Sequence, residues 1–265
     1  MQDLRVTLAQ GDTRWHDPVA NRDYYAELIA PLRGMTDLVL LPETFTSGFS
    51  NDAIQDAETM HGPTLAWLRE QSRQLDAAVT GSVQLRTADG VFNRLLFATP
   101  DGEVAHYDKR HLFRYAGEHE RYAAGGPRLS VQWRGWRICP LVCYDLRFPV
   151  FSRNRYDVER PAQLDYDLLL YVANWPSVRA YPWQTLLRAR AIENLCYVAG
   201  LNRVGTDGNG HHYAGDSAVI DFAGIPLNEC GDQPVVATTA LSAARLREHR
   251  ERFPAMLDAD GFDLH

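Results

Sequence analysis

Cys143 is the residue of the sequence best placed to act as a nucleophile. It follows the apolar stretch Arg137–Val142, and a polar, helix-like segment that contains Asp145 comes directly after it. A cysteine at a strand-to-helix turn is exposed at the edge of a sheet, and a nearby helix N-terminus favours its thiolate. The alternative is a buried structural cysteine, the commonest fate of this residue type.

Glu43 and Lys109 would supply the base and the positive charge that a thiol nucleophile needs. Glu43 follows the apolar segment Asp37–Leu41 and precedes a glycine-containing loop. Ligands bind at the carboxyl ends of strands in α/β sheets, and a carboxylate desolvated there suits a general base. Lys109 is followed by an apolar Leu-Phe pair, which indicates that its segment turns into the fold. A helix cap or surface ion pair is the alternative for Glu43, and a solvated charge is the alternative for Lys109.

The order and spacing of these residues resemble the nitrilase superfamily of carbon–nitrogen hydrolases. The motifs that carry the resemblance are LPE at Glu43, DK at Lys109 and CYD at Cys143, and the similarity extends over nearly the whole chain. It implies a Glu–Lys–Cys triad and a second glutamate in the loop after the lysine. We assign that glutamate to Glu118 rather than to Glu120, with a solvated loop carboxylate as the alternative.

The resemblance implies hydrolysis of a small amide through a cysteine thioester. Glu43 would take the proton of the Cys143 thiol, or hold an existing pair of thiolate and carboxylic acid, and the sulfur would attack the carbonyl carbon. The Lys109 ammonium and a backbone N–H, which we expect to be that of Tyr144, would stabilise the charge on oxygen. Glu118 would orient the substrate or the lysine. We expect no metal and no organic cofactor.

Four segments resemble the ω-amidase branch of this superfamily, namely CYDLRFP, YVANWP, AIEN and NRVG. ω-Amidases hydrolyse the terminal amide of 2-oxo dicarboxylic acid monoamides such as 2-oxoglutaramate and 2-oxosuccinamate. Such a substrate carries a carboxylate at its far end, and a guanidinium binds carboxylates in a bidentate manner. Arg147 is our first candidate for this role and Arg203 our second. An internal ion pair with Asp145 or another acid is the alternative for Arg147.

Three aromatic side chains, Phe45, Phe113 and Trp175, are expected to wall a short substrate pocket, and each is equally compatible with the hydrophobic core. The segment Arg153–Tyr166 is longer and more charged than the resemblance leads us to expect. It is either a surface insertion or a segment that shapes access to the pocket. This difference from the family bears on which substrate we expect and not on which reaction we expect.

Other functions agree with parts of the sequence. A papain-like enzyme would pair the cysteine with a histidine, but no distinctive local setting marks any of the candidates, His106, His111, His119, His211 and His212. An N-carbamoyl-amino-acid hydrolase of the same superfamily would release carbon dioxide with ammonia. A catalytically silent binding protein on the same fold would not require the triad. A metal-binding protein would need clustered ligands, and we find no such pattern.

Strands and helices that alternate along the chain predict an α/β domain. The predicted helices are Pro18–Arg33, with Asp17 as its N-cap, Pro63–Leu75, Trp183–Asn194 and Leu241–Phe253. The predicted strands are Leu4–Ala9, Asp37–Leu41, Ala77–Gln84, Asn93–Thr99, Val131–Trp133, Arg137–Val142, Leu168–Ala173, Tyr197–Leu201, Asp216–Ile220 and Val235–Thr239. The resemblance makes this a four-layer α-β-β-α sandwich and implies a homodimer.

Composition agrees with one globular domain over residues 1–265, since 45% of the residues are hydrophobic and 23% are charged. The net charge of −7 gives no support to nucleic-acid binding. No apolar run approaches the ~20 residues that span a bilayer, and the first residues do not resemble a signal peptide. We therefore expect a cytoplasmic protein with no membrane partner, whose cysteines are free thiols.

Overall fold

The computed structural model describes residues 1–157, 159 and 164–263. Its strands in chain order are β1 Leu4–Gln10, β2 Leu38–Leu40, β3 Ala78–Thr87, β4 Gly90–Ala98, β5 Val104–Asp108, β6 Val131–Trp133, β7 Trp136–Val142, β8 Leu168–Ala173, β9 Tyr197–Asn202, β10 Val204–Thr206, β11 His212–Ala214, β12 Ala218–Ile220, β13 Pro226–Glu229 and β14 Val235–Leu241. The helices are α1 Pro18–Ile29, α2 Pro63–Leu75, α3 Pro149–Ser152, α4 Ala180–Asn194 and α5 Ala243–Arg252.

The strands form two six-stranded sheets and a separate hairpin. The first sheet has the order β14-β1-β2-β3-β4-β5, the second has the order β13-β12-β9-β8-β7-β6, and β10 pairs with β11. Strands β1, β2 and β3 are parallel to one another, as are β7, β8 and β9, and the outer strands of each sheet pair in antiparallel fashion. Both sheets therefore have a parallel centre, and its carboxyl-terminal edge is the expected place for a site.

Side-chain alternation along β2 and its flank separates two hydrophobic layers. Leu38 and Leu40 join the core between the two sheets, whereas Val39 and Leu41 face the helices on the outside. The outer layer of the first sheet is covered by α1 and α2. The second sheet is covered on its outside by α4, with the buried side chains Trp183, Leu187 and Ala191. This arrangement confirms the predicted α-β-β-α sandwich.

The core between the sheets is continuous and almost entirely shielded from solvent. Each buried leucine, isoleucine or phenylalanine contributes roughly 1.5–3 kcal/mol of transfer free energy. The first sheet contributes Val6, Leu8, Leu40, Leu95 and Phe97, and the second contributes Ile138, Leu168, Leu170, Val172 and Leu201. The two sheets are consequently held in one fixed relation to each other.

Most predicted elements are confirmed, with a few differences at their ends. Strand β5 was not predicted, because its side chains are only partly buried and the apolar pattern is weak. Helix α1 stops at Ile29 and continues as a 3-10 turn through Leu32. Its N-cap is confirmed, since Asp17 accepts a hydrogen bond of 3.0 Å from the Ala20 amide. Helix α5 begins after Ser242, because Leu241 still belongs to β14.

Two further expectations concern the whole chain. All four cysteines are free, as expected. Within the described ranges, no helix has the length and apolar character that crossing a membrane requires.

Of the segment Arg153–Tyr166, positions 158 and 160–163 lie outside the described residues. Its flanks are joined by a bridge between Tyr156 and Leu164.

Candidate active site

The two sheets bring their functional side chains to one place from opposite sides. Glu43 lies just past β2 and Lys109 directly follows β5, so both belong to the first sheet. Cys143 directly follows β7 of the second sheet. Glu118 opens a short 3-10 turn in the loop after the lysine. All of these side chains are buried, and Lys109 and Cys143 also line a cavity of about 700 Å³.

Lys109 connects the two glutamates. Its Nζ donates to Glu43 Oε1 at 2.9 Å and to the Glu118 oxygens at 3.0 and 2.9 Å. Burial disfavours the ammonium, but the carboxylates of Glu118 and Glu43 outweigh burial and raise the pKa of Lys109 well above its ordinary value. The lysine therefore stays positively charged beside the sulfur.

Glu43 is held by donors from both sheets. Its Oε1 also accepts from Asn93 Nδ2 at 2.8 Å, and its Oε2 accepts from the backbone N–H of Asn174 at 2.8 Å. The side chain of Asn174 donates in turn to the Glu43 carbonyl at 2.6 Å. The carboxylate is thereby fixed in orientation, as a general base must be. Sequence reasoning missed both asparagines.

Glu118 is the glutamate of the loop that reaches the lysine. It accepts from the Phe113 amide at 2.5 Å in addition to the Lys109 contacts. Burial and the negative charge of Glu43 raise its pKa, and the Lys109 ammonium opposes this rise. The side chain of Glu120, by contrast, is 72% exposed. The preference for Glu118 over Glu120 thus agrees with the geometry.

Cys143 adopts a left-handed backbone conformation, with φ of +43°, at the turn between β7 and a 3-10 segment that ends at Arg147. Asp145 stabilises this turn, because it accepts from the Val142 amide at 3.0 Å, from Tyr107 Oη at 2.8 Å and from His111 Nδ1 at 2.7 Å. The expected elbow is present.

The expected helix N-terminus, which would lower the pKa of the Cys143 thiol, is not found. Burial and the neighbouring Glu43 carboxylate raise the pKa of the Cys143 thiol, and the positive charge of Lys109 does not offset them. The segment after the cysteine is a 3-10 turn that ends at Arg147, so the expected helix dipole is absent there. The thiol is therefore protonated and needs a base.

The cavity also reaches Arg147. Its guanidinium stacks on Trp175 at 5.1 Å from the ring centroid, and no carboxylate among the described residues lies within ion-pair distance of it. The alternative of an ion pair with Asp145 does not apply, because Asp145 is occupied by the contacts given above. Phe113, Tyr144 and Trp175 line the same cavity, as expected. A charged acceptor that enters this cavity meets an unpaired guanidinium.

Comparison with known proteins agrees with this geometry. The sequence profile of the carbon-nitrogen hydrolase family matches residues 5–251. The chain belongs to the carbon–nitrogen hydrolase family. It is 51% identical to the omega-amidase YafV of Yersinia enterocolitica over 100% of both chains. It is 31% identical to the 2-oxoglutaramate amidase of Bacillus subtilis over 84% of each chain. The crystal structure of XC1258, a CN-hydrolase superfamily protein of Xanthomonas campestris with an arsenic adduct in its active site, is 70% identical, with a TM-score of 0.99 over 100% of both chains.

Two residues expected in the substrate pocket of this carbon–nitrogen hydrolase lie elsewhere. Phe45 is fully buried on the outer side of the first sheet, with ring centroids 5.9 Å from Tyr25 and 5.6 Å from Trp67. Arg203 is also fully buried, and its Nη2 donates to Asp12 at 2.7 Å. Its guanidinium lies 4.9 Å from the centroid of Tyr213, which does line the cavity. Arg203 thus supports the wall instead of facing the substrate.

Part of the wall of the hydrolase cavity comes from the β10–β11 hairpin, which sequence reasoning did not assign to the site. Asp207 accepts from Tyr213 Oη at 2.8 Å and from the backbone N–H of His211 at 2.9 Å, which fixes the hairpin loop. Among the described residues, no hydrogen bond joins a histidine to the Cys143 sulfur, and His111 is bound to Asp145. In the same part of the chain, no cluster of three or more His, Cys, Asp and Glu side chains forms a metal site.

Proposed function

We propose that this hydrolase cleaves the terminal amide of a small 2-oxo dicarboxylic acid monoamide, such as 2-oxoglutaramate or 2-oxosuccinamate, to give the acid and ammonia. The observation that carries the proposal is the unpaired guanidinium of Arg147 in the cavity that holds the Cys143 thiol. A guanidinium without a protein partner is a site for a carboxylate. The two amidase relatives, an omega-amidase and a 2-oxoglutaramate amidase, agree with this substrate class.

The first chemical step forms the bond between sulfur and the carbonyl carbon. Because the thiol is protonated at rest, Glu43 takes its proton as the sulfur attacks. The electron pair of the C=O bond moves to oxygen, where the Lys109 ammonium and the backbone N–H of Tyr144 stabilise the charge. Removal of one donor of this kind costs about 3–4 kcal/mol of transition-state stabilisation.

The second and third steps release the two products. Glu43 returns its proton to the leaving nitrogen, the C–N bond breaks, and ammonia departs from a thioester on Cys143. Water that loses a proton to Glu43 then attacks the thioester, and the proton passes back to the sulfur as the acid leaves. Glu118 holds Lys109 in position throughout, through the contacts of 2.9 and 3.0 Å described above.

An ammonia-release assay across related amides tests the proposed substrate. We expect the highest kcat/KM with 2-oxoglutaramate and 2-oxosuccinamate, and lower values with glutamine, asparagine and the uncharged pentanamide. The N-carbamoyl amino acids are the second candidate class, because their free carboxylate would also bind a guanidinium. Release of carbon dioxide together with ammonia, at a higher kcat/KM than with the 2-oxo amides, would replace our proposal with that function.

We also propose that the chain acts as a homodimer in the cytoplasm. Exposed apolar side chains on and beside α4 support an interface, with Val178 at 83%, Tyr181 at 78% and Ile192 at 53% exposure. The free cysteines agree with a reducing compartment. Sedimentation equilibrium of the purified chain measures the oligomeric state, and a monomer at micromolar concentration would contradict the dimer.

A further inference from the structure

A second guanidinium, that of Arg179, lines the cavity and has no role in the steps above. It stacks on two aromatic rings of the cavity wall, 5.4 Å from the centroid of Phe113 and 5.8 Å from that of Tyr115. Within the described part of the chain, no carboxylate lies within ion-pair distance of it. Arg179 is thus held against two aromatic rings, and its charge has no carboxylate partner among the described residues.

Trp175 connects this arginine to Arg147. The indole ring carries the guanidinium of Arg147 on its face, and its Nε1 donates to the backbone carbonyl of Arg179 at 2.7 Å. Both arginines therefore belong to one rigid wall of the cavity. A guanidinium stacked on an aromatic face keeps its N–H edge available for an oxygen acceptor.

The charges that surround the pair favour a ligand without a positive group. Among the described residues, the acids that line the cavity are Asp52 and Glu120. Both are exposed to solvent. Solvent and salt screen such charges, so they offset the two guanidinium charges only in part. A ligand ammonium placed near the guanidinium pair would be repelled, whereas a carboxylate and an adjacent carbonyl oxygen would be attracted.

We infer that Arg179, together with Arg147, makes the enzyme prefer a 2-oxo acid amide over the corresponding 2-amino acid amide. This inference rests on the proposed function and assigns its selectivity to a residue. The 2-oxo acid presents a carboxylate and a neighbouring carbonyl oxygen to the pair. Glutamine presents the same carboxylate next to an ammonium. Arg179 is a specificity-determining residue on this basis, and it does not take part in the chemistry at the sulfur.

The test compares three substrates in the Arg179→Gln variant. Glutamine lacks the 2-oxo group and carries the ammonium, and pentanamide carries neither charge. We expect kcat/KM for 2-oxoglutaramate to fall about 10- to 100-fold, the loss typical of one hydrogen bond to a charged group. The kcat/KM for glutamine stays the same or rises, and that for pentanamide stays the same. Arg247→Gln, at an exposed position of α5, is the matched control and changes none of the three values.

The outcomes separate the inference from the function on which it rests. An equal fall for all three substrates would assign Arg179 a packing role and overturn the inference. An unchanged ratio between 2-oxoglutaramate and glutamine in the variant would also overturn it, while the proposed function stands. A wild-type enzyme without preference for 2-oxoglutaramate over pentanamide would overturn the proposed function, and the inference with it.

Discussion

The charged residues at the cavity form two groups, which we call its reactive end and its far end, and the two groups differ in how their charges are bonded. At the reactive end, Glu43, Lys109 and Glu118 are buried and bonded to one another. At the far end, Arg147 and Arg179 are half-buried, and each contacts aromatic rings instead of a carboxylate. Removal of one partner from a buried ionic group destabilises the fold, whereas an unpaired charge that faces a cavity is available to a ligand. Mutations at the two ends should therefore differ in kind.

The largest effect is expected at the nucleophile. Cys143→Ala should lower kcat by at least about 10⁴-fold for every amide, because no other group forms the thioester. The fold should stay intact, as circular dichroism and thermal unfolding would show. Cys230→Ala is the control, since Cys230 is half-buried outside the cavity and should leave the rate unchanged. Ammonia release by Cys143→Ala at a rate near the wild type would contradict the mechanism.

Lys109→Met should affect stability as well as rate. Without the ammonium, the carboxylates of Glu43 and Glu118 would be left buried beside each other. Removal of one partner from a buried ionic group typically costs ~3–5 kcal/mol of the free energy of unfolding. Urea unfolding measures this loss, with Lys109→Arg as a variant that keeps the charge. An unfolding free energy equal to that of the wild type would show that the contacts of Lys109 with the two carboxylates do not stabilise the fold.

Arg147→Gln should change selectivity and leave stability alone. We expect kcat/KM for 2-oxoglutaramate to fall about 10- to 100-fold, with pentanamide hydrolysis unchanged, because only the charged substrate uses the guanidinium. The midpoint of thermal unfolding should stay near that of the wild type. An equal fall in kcat/KM for pentanamide would show that Arg147 acts on the reaction itself and not on the substrate carboxylate.

The smallest effect is expected away from both ends, at the cap of α1. Asp17→Ala removes the carboxylate that accepts from the Ala20 amide and should cost about 1 kcal/mol of the free energy of unfolding. Both kcat and KM should stay at their wild-type values, while Asp17→Asn should restore most of the stability. A change in KM with this variant would show that α1 influences the cavity.

Position at strand ends marked Glu43 and Cys143 as candidates, and the family resemblance added Lys109 and Glu118. Glu43 and Cys143 each follow an apolar strand, and the carboxyl-terminal edges of both sheets meet where the base and the thiol must meet. The same rule would have found Asn174, which directly follows the apolar strand β8. Asn93 gives no such signal, because it lies inside β4 and looks like an ordinary polar position of a strand.

The substrate-binding residues were less predictable, because the type of an aromatic or basic residue does not reveal which side of a sheet it faces. Phe45 turns outward to Tyr25 and Trp67, two residues of helices on the other side of the first sheet. Arg203 is bound by Asp12, which is distant in sequence. Arg179 lies next to α4 in a segment whose pattern carries no apolar or catalytic signature. These placements depend on packing between distant segments.

The site is divided between the sheets, with the proposed base, Glu43, on one and the proposed nucleophile, Cys143, on the other. A shift of one layer against the other by a fraction of an ångström would separate sulfur from carboxylate without altering either residue. The hydrophobic core between the sheets therefore keeps the Glu43 carboxylate and the Cys143 sulfur in position relative to each other. Leu95 of the first sheet and Leu170 of the second, which lie in this core, in this way help to keep the site aligned.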